Sequence, residues 1–173
     1  VYDRYAERML SELIDKGDGV HWHYHHPPAD GRWGWNRAWG GSDWYEQVLA
    51  AKILDRNYFP AVYRAGGYVE DDETSHWLEQ WIPFDYSNNA PSVREGMWDW
   101  SRAPRGWVPY HPSRADYQLP GDMKRTIVRS LPVDAKGGSN LLKESDVVEA
   151  FELAKAGKRP ILSFSTHDYY KSA

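Results

Sequence analysis

Apolar positions along the chain change period several times, and each change marks an element. Tyr2, Tyr5, Ala6, Met9, Leu10, Leu13 and Ile14 recur at helical spacing, with Gly17 placed as a C-cap. The stretch "GVHWHYH" then alternates, which predicts a strand. Asp43 with Glu46 has the form of a capping box and opens a helix through about Arg56. "PAVYRAGG" predicts a short strand ending in glycines, "ETSHWLEQW" a helix, and "IPFDYS" a further strand. Residues 88–120 are rich in Pro, Trp and Arg without clear periodicity and read as a long ordered loop. "RTIVRSLPVD" is a strand, Asp146 and Glu149 cap a helix through Lys155 that Gly157 stops, and "RPILSFSTHD" closes as a buried strand.

The order α-β-α-β-α-β-loop-β-α-β favours a parallel α/β sheet or barrel, and residues 1–173 form a single domain on this reading. In such folds ligands gather at the carboxyl ends of strands. His21 to His26, Arg64, Asp85 and His167 all end predicted strands, which makes them a constellation. Val1 opens the chain inside an amphipathic pattern, so an N-terminally truncated or processed piece is expected.

Composition narrows the chemistry. A formal net charge of -4 supplies no basic field for nucleic acid. Cysteine is absent, which leaves His, Asp and Glu as the available metal ligands. No apolar run reaches the roughly 20 residues of a membrane span, and no signal-peptide pattern is present. The composition leaves oligomeric state open. Among ten tryptophans, Trp33, Trp35 and Trp39 sit in "DGRWGWNRAWGG", where a glycine-rich loop does not easily bury indoles. Exposed aromatic faces suit sugar rings or a partner protein; an aromatic lid over the fold's edge is the alternative.

The segment "GVHWHYHHPP" holds four histidines. In a straight strand His21, His23 and His25 share one face, with neighbours roughly 6.6 Å apart. His21 and His25 are then roughly 13 Å apart, too far for one zinc with bonds of about 2.0–2.1 Å. They meet only if the chain coils after His21, and a solvated strand end that binds nothing is the alternative. Arg64 either pairs with any carboxylate or serves a site beside its glycines. His167 follows an apolar run and suits a pocket floor or a satisfied core position. Asp85 reads as a turn-former bonded to its own backbone rather than a ligand. "VEDDE" reads as the start of a helix, where carboxylates favour the dipole. His76 and His111 receive no role.

"GVHWHYHHP", then "YRAGG", then "WIPFDYS", then "LSFSTHDYY" together resemble the polysaccharide deacetylase (NodB-homology) superfamily of carbohydrate esterases. The resemblance implies a distorted, here incomplete, β/α barrel that hydrolyses N- or O-acetyl groups on glycans. It implies a divalent metal, zinc first, with His21 and His25 matching the family's His-x-x-x-His ligands. It also implies that Arg64 orients a catalytic aspartate and that His167 belongs to the closing histidine motif. The exposed indoles of Trp33, Trp35 or Trp39, read from the glycine-rich loop itself, are expected to contact the glycan. Trp98-Asp99-Trp100 is a candidate for the Asp-and-Trp motif. The chain departs from the pattern in three places. Trp22 stands where Ser or Thr is usual, no proline follows the arginine, and the aspartate-bearing first strand is absent. The functions expected are therefore a metal-dependent glycan deacetylase or, alternatively, a non-catalytic carbohydrate-binding module on the same scaffold. A structural piece of an envelope or glycan-assembly complex is a third.

Overall fold

The computed structural model describes residues 12–13, 15–17, 19, 21–24, 42–56, 59–94, 98–133 and 140–166. Its elements are β1 (Trp22–Tyr24), α1 (Ser42–Arg56), β2 (Val62–Ala65), a 3-10 turn (Gly66–Tyr68), α2 (Asp72–Trp81), β3 (Phe84–Asn88), β4 (Val93–Arg94), β5 (Trp98–Asp99), β6 (Thr126–Pro132), α3 (Glu144–Lys155) and β7 (Ser163–Ser165). Five strands form one sheet in the order β1-β2-β3-β6-β7, every neighbouring pair parallel. When sequential strands are neighbours throughout, same-handed crossovers return on one face and the sheet curls around the other. The result is a mixed α/β fold whose curled parallel sheet makes a half-barrel. Among the described residues no helix is long and apolar enough to cross a membrane.

Alternation decides which side chains meet the helices. In β2, Tyr63 and Ala65 are buried while Val62 and Arg64 are half-buried on the opposite face. Tyr63 and Ala65 join Trp22, Tyr45 and Leu49 of α1, and Trp77 and Leu78 of α2, in one apolar cluster. The hydroxyls of Tyr45 and Tyr63 bond to each other, which satisfies two buried polar tips in an aromatic core. β6 lies between β3 and the edge strand β7; six of its seven residues are buried, as a strand covered on both faces requires. β7 begins only opposite Ser130, and ahead of it Tyr110 takes the β6 edge through paired bonds with Ile127.

The helix starts follow from local chemistry. Asp71 accepts from the backbone N–H of Thr74 at 2.8 Å, and Asp72 and Glu73 occupy the first turn, as read from "VEDDE". α1 begins at Ser42, one residue ahead of the cap expected at Asp43. α3 begins at Glu144, so Asp146 and Glu149 lie inside it. Asp146 still satisfies the terminus by accepting from Lys143 N–H at 2.8 Å.

Two further expectations are corrected. The closing strand is not buried: β7 is three residues long at the sheet edge, and Phe164 is 60% exposed on it. Its apolar run is used earlier, where Ile161 donates to the Trp107 carbonyl and Leu162 packs near Trp107 and Leu131. The stretch read as a loop over 88–120 holds, among its described residues, the antiparallel pair β4–β5 and buries Trp100, Trp107, Tyr110 and Tyr117. Its return depends on Gly121, where a Cβ would stand 2.4 Å from the Cα of Ser113.

α3 ends as the sequence predicts. Lys158 N–H reaches the Leu153 carbonyl and Gly157 N–H the Ala154 carbonyl, a Schellman closure with Gly157 at φ +74°. A Cβ there meets nothing within 4 Å, so Gly157→Ala incurs only the left-handed backbone cost. We expect a loss of about 1 kcal/mol in urea unfolding; an unchanged midpoint contradicts this closure.

Candidate functional site

His23 pairs with Arg64 across β1 and β2, so the two side chains share the face turned away from the helices. His21 sits immediately before β1 and, two residues from His23, alternates toward that same face. The Nδ1–H of His23 donates to the Arg64 carbonyl at 2.9 Å. Partial burial lowers the His21 pKa, which favours the neutral imidazole that a metal ligand must be. His21 therefore fits one position of an imidazole donor set. Among the described residues, no group of three or more His, Asp or Glu side chains could hold a metal ion. His25, His26, His167, Trp33, Trp35 and Trp39 lie outside the described residues.

The strand-end constellation is only partly realised. His21 precedes the amino end of β1, and Arg64 is the third residue of four in β2. Asp85 is the second residue of β3 and points into the helix-covered core, not toward a strand end.

Beyond β2 the chain turns sharply. Gly67 has φ 62° and Tyr68 φ 60°, two successive left-handed residues of which the second is aromatic. Such a residue costs roughly 1–2 kcal/mol. The turn brings the Tyr68 ring under the Arg64 guanidinium, 4.2 Å from Cζ to the ring centroid. The same ring meets Trp98 edge-on at 6.1 Å, and its hydroxyl lies 3.4 Å from Ser165 Oγ at the end of β7. Trp98 is held by its indole N–H, which donates to Ser92 Oγ at 3.1 Å. Arg64 Nε is buried and has no hydrogen-bond partner. Tyr68 and Ser165 were not singled out from the sequence, and His23 was weighed there only as a possible metal neighbour, not as the partner of the Arg64 carbonyl. The available signals were the place of His23 between two assigned histidines and of Tyr68 directly after a glycine pair.

A second polar cluster lies on the opposite, helix-covered face. The Arg125 guanidinium is fully buried and donates to Asp85 Oδ2 at 2.7 Å, Glu70 Oε1 at 2.6 Å and Ser75 Oγ at 2.7 Å. Asp85 Oδ1 accepts the Ser87 N–H at 2.8 Å, the local turn bond expected of it, while its other oxygen makes the ion pair. Burial, then the nearby Asp85 charge, push the Glu70 carboxyl well above its ordinary range. One cation thus faces two acids, of which Glu70 is pushed toward its protonated form. Glu70 Oε2, buried without a partner, fits that protonated state. His76 and His111 are structural: their ring N–H groups donate to the carbonyls of Arg114 and Arg125.

Comparison with protein-family models, curated proteins and solved structures finds no match to this chain.

Removing Arg125 strands Asp85 as a buried charge, so Arg125→Leu should lose about 3–5 kcal/mol in urea unfolding. Glu70→Gln mimics the protonated acid and should lose under about 1 kcal/mol at neutral pH. The sign with pH follows. The folded state holds a proton that the unfolded chain releases above the ordinary carboxylate pKa. The Glu70 contribution is therefore fully present below that pKa and is lost as pH rises toward the raised value. Glu70→Gln should flatten this decline; an identical slope in both proteins refutes the protonated assignment.

Proposed function

We propose that this chain is a metal-dependent, deacetylase-like hydrolase acting on N- or O-acetyl groups of a glycan, on a distorted β/α barrel of the polysaccharide deacetylase type. The observation that carries the reading is the parallel pairing of His23 with Arg64, which sets the histidine segment beside the arginine segment on the inner face of the half-barrel. These are the two segments whose likeness to the superfamily involves metal and base. His21 and His25 would hold a divalent ion such as zinc, which would supply a Lewis acid for the acetyl carbonyl and acidify a water. Arg64 holds the carboxylate base through its guanidinium fork. His167 gives a proton to the departing amine or alcohol, which requires a pKa near the working pH. Trp33, Trp35 and Trp39 form a wall for the sugar rings.

A second reading, a carbohydrate-binding module without turnover, draws on the half-buried Tyr68–Trp98 pair, which is packed in part against the Trp100 cluster and needs no metal.

Elemental analysis decides the metal. One equivalent of zinc or a similar ion is expected in the full chain and none after His21→Ala with His25→Ala; unchanged stoichiometry removes the ligand pair. Acetate release from acetylated chito- or xylo-oligosaccharides separates the two readings. His167→Asn should lower turnover at least tenfold with metal content intact. Binding without any acetate release selects the module.

Titration with the same oligosaccharides should quench tryptophan fluorescence, and less so when Trp33, Trp35 and Trp39 are replaced by alanine. Quenching that is unaltered by these replacements shows that the wall is packing.

A further inference from the structure

Arg64 is costly where it stands. Its guanidinium is half-buried on the inner face, its Nε is fully enclosed without an acceptor, and no carboxylate pairs with it among the described residues. Tyr68 beneath it adopts a backbone conformation that aromatic residues avoid, and that conformation is what brings the ring to 4.2 Å from the cation. The stacked ring covers one face of the guanidinium and leaves the in-plane donors as its remaining bonding capacity. An arginine carries five such donors, and one carboxylate uses at most two of them in a bidentate pair. The molecule already contains an arginine serving two acids, since Arg125 meets Asp85 through Nη1 and Glu70 through Nη2. A base held on one edge of Arg64 therefore leaves room for a second anion.

The surroundings select the anion. The half-buried Tyr68 ring lies beneath the cation with Trp98 edge-on to it, both packed in part against the cluster around Trp100, so the cation is set beside aromatic groups of the kind that border sugar sites. Arg64 brings a single positive charge, and the formal charge of the whole chain is -4, so a polyanion or a phosphate dianion is poorly matched. A planar, singly charged carboxylate fits the fork.

We propose that Arg64, seated on Tyr68, recognises the carboxylate of an acidic sugar, so that the preferred glycan places a single uronate residue at this position. This rests on the carbohydrate reading above and names the substrate class of the same site.

The test titrates the full chain with D-glucuronate, with glucose, which differs at C6, and with glucose 6-phosphate. The readouts are calorimetry and the indole N–H resonance of Trp98, assigned with Trp98→Phe. Glucuronate should bind at least tenfold more tightly than either other sugar and should shift the Trp98 resonance. Arg64→Gln should erase that preference, because the charged fork is lost. Equal affinities, a preference for glucose 6-phosphate, no binding of any of the three, or a preference that survives Arg64→Gln each overturn the proposal. Should Arg64→Gln not fold, the salt dependence of glucuronate binding to the unaltered protein decides. Weakening between low and physiological salt is expected, and a salt-independent affinity overturns the proposal. A glucuronate preference without acetate release keeps this inference and removes the hydrolase. Acetate release with no preference does the reverse.

Discussion

The Arg125 guanidinium is the point at which the fold is tied together. It bonds Asp85 on β3, Glu70 ahead of α2 and Ser75 within α2, partners 40, 55 and 50 residues away in the chain. A buried ion pair of this kind is weak evidence for net stability, because removing charges from water can offset their attraction. Its stronger consequence is registry. Each group is tolerable in a dry interior only when the others are present, so β3, α2 and the entrance to β6 must assemble in one arrangement. Glu79 reinforces that arrangement by accepting the backbone N–H groups of Lys124 and Arg125, at 2.8 and 2.9 Å. Burial raises its pKa, but those two bonds and nearby Arg114 outweigh burial and hold it below the usual range.

Registry on the covered face determines what the open face presents. Asp85 pairs with Tyr63 on one side and Ile127 on the other, all three buried. Because side chains alternate, placing Asp85 against Arg125 turns Phe84 to the opposite face, and placing Tyr63 in the aromatic core does the same for Arg64. A slip of one residue would bury Arg64 among Trp22, Tyr45 and Trp77 and expose Tyr63. The position of the inner-face arginine is thus a consequence of ion pairing on the other side of the sheet.

Periodicity made the element order legible, since each helix and main strand announces itself within a dozen residues. The same holds for the Asp71 start of α2, the Gly157 stop of α3 and the local bond of Asp85 to Ser87. What periodicity does not carry is pairing between distant residues. Arg125 stands in "KRTIVRS" beside an apolar run and reads as an ordinary solvated strand start. Only the arrival of Glu70 and Asp85 makes its burial tolerable. Glu70, one acid among four in "VEDDE", carries no local mark that sets it apart from Asp71, Asp72 and Glu73. Phe164 misled for the converse reason. Its apolar neighbours suggested a covered strand, but coverage depends on what lies beyond β7, which no local pattern contains. Of the candidate site, the place of Arg64 on β2 ahead of a glycine pair was legible in the sequence, whereas its seat on Tyr68 follows from a backbone angle that the letters "RAGGY" only permit.

That seat also explains how the molecule sustains an unfavourable local geometry. A left-handed aromatic residue and a half-buried cation with an enclosed, unpaired nitrogen each oppose folding, by roughly 1–3 kcal/mol apiece. Both persist because the structure around them is over-determined. Gly66 is buried, the Tyr68 carbonyl accepts the Trp100 indole N–H at 3.0 Å, and Trp100 is itself locked against Tyr117. Tyr117 in turn is held by the Asp72 carboxylate at the start of α2, the helix that Arg125 anchors. The chain of contacts therefore runs from the buried ion cluster through α2 and the aromatic loop to the Tyr68 turn. Strain at the inner face is maintained by order at the outer one. Tyr68 is held in that region from both ends, its ring packed against the cluster around Trp100 and its carbonyl bonded to the Trp100 indole, and the Arg64 guanidinium rests on the ring that this order fixes.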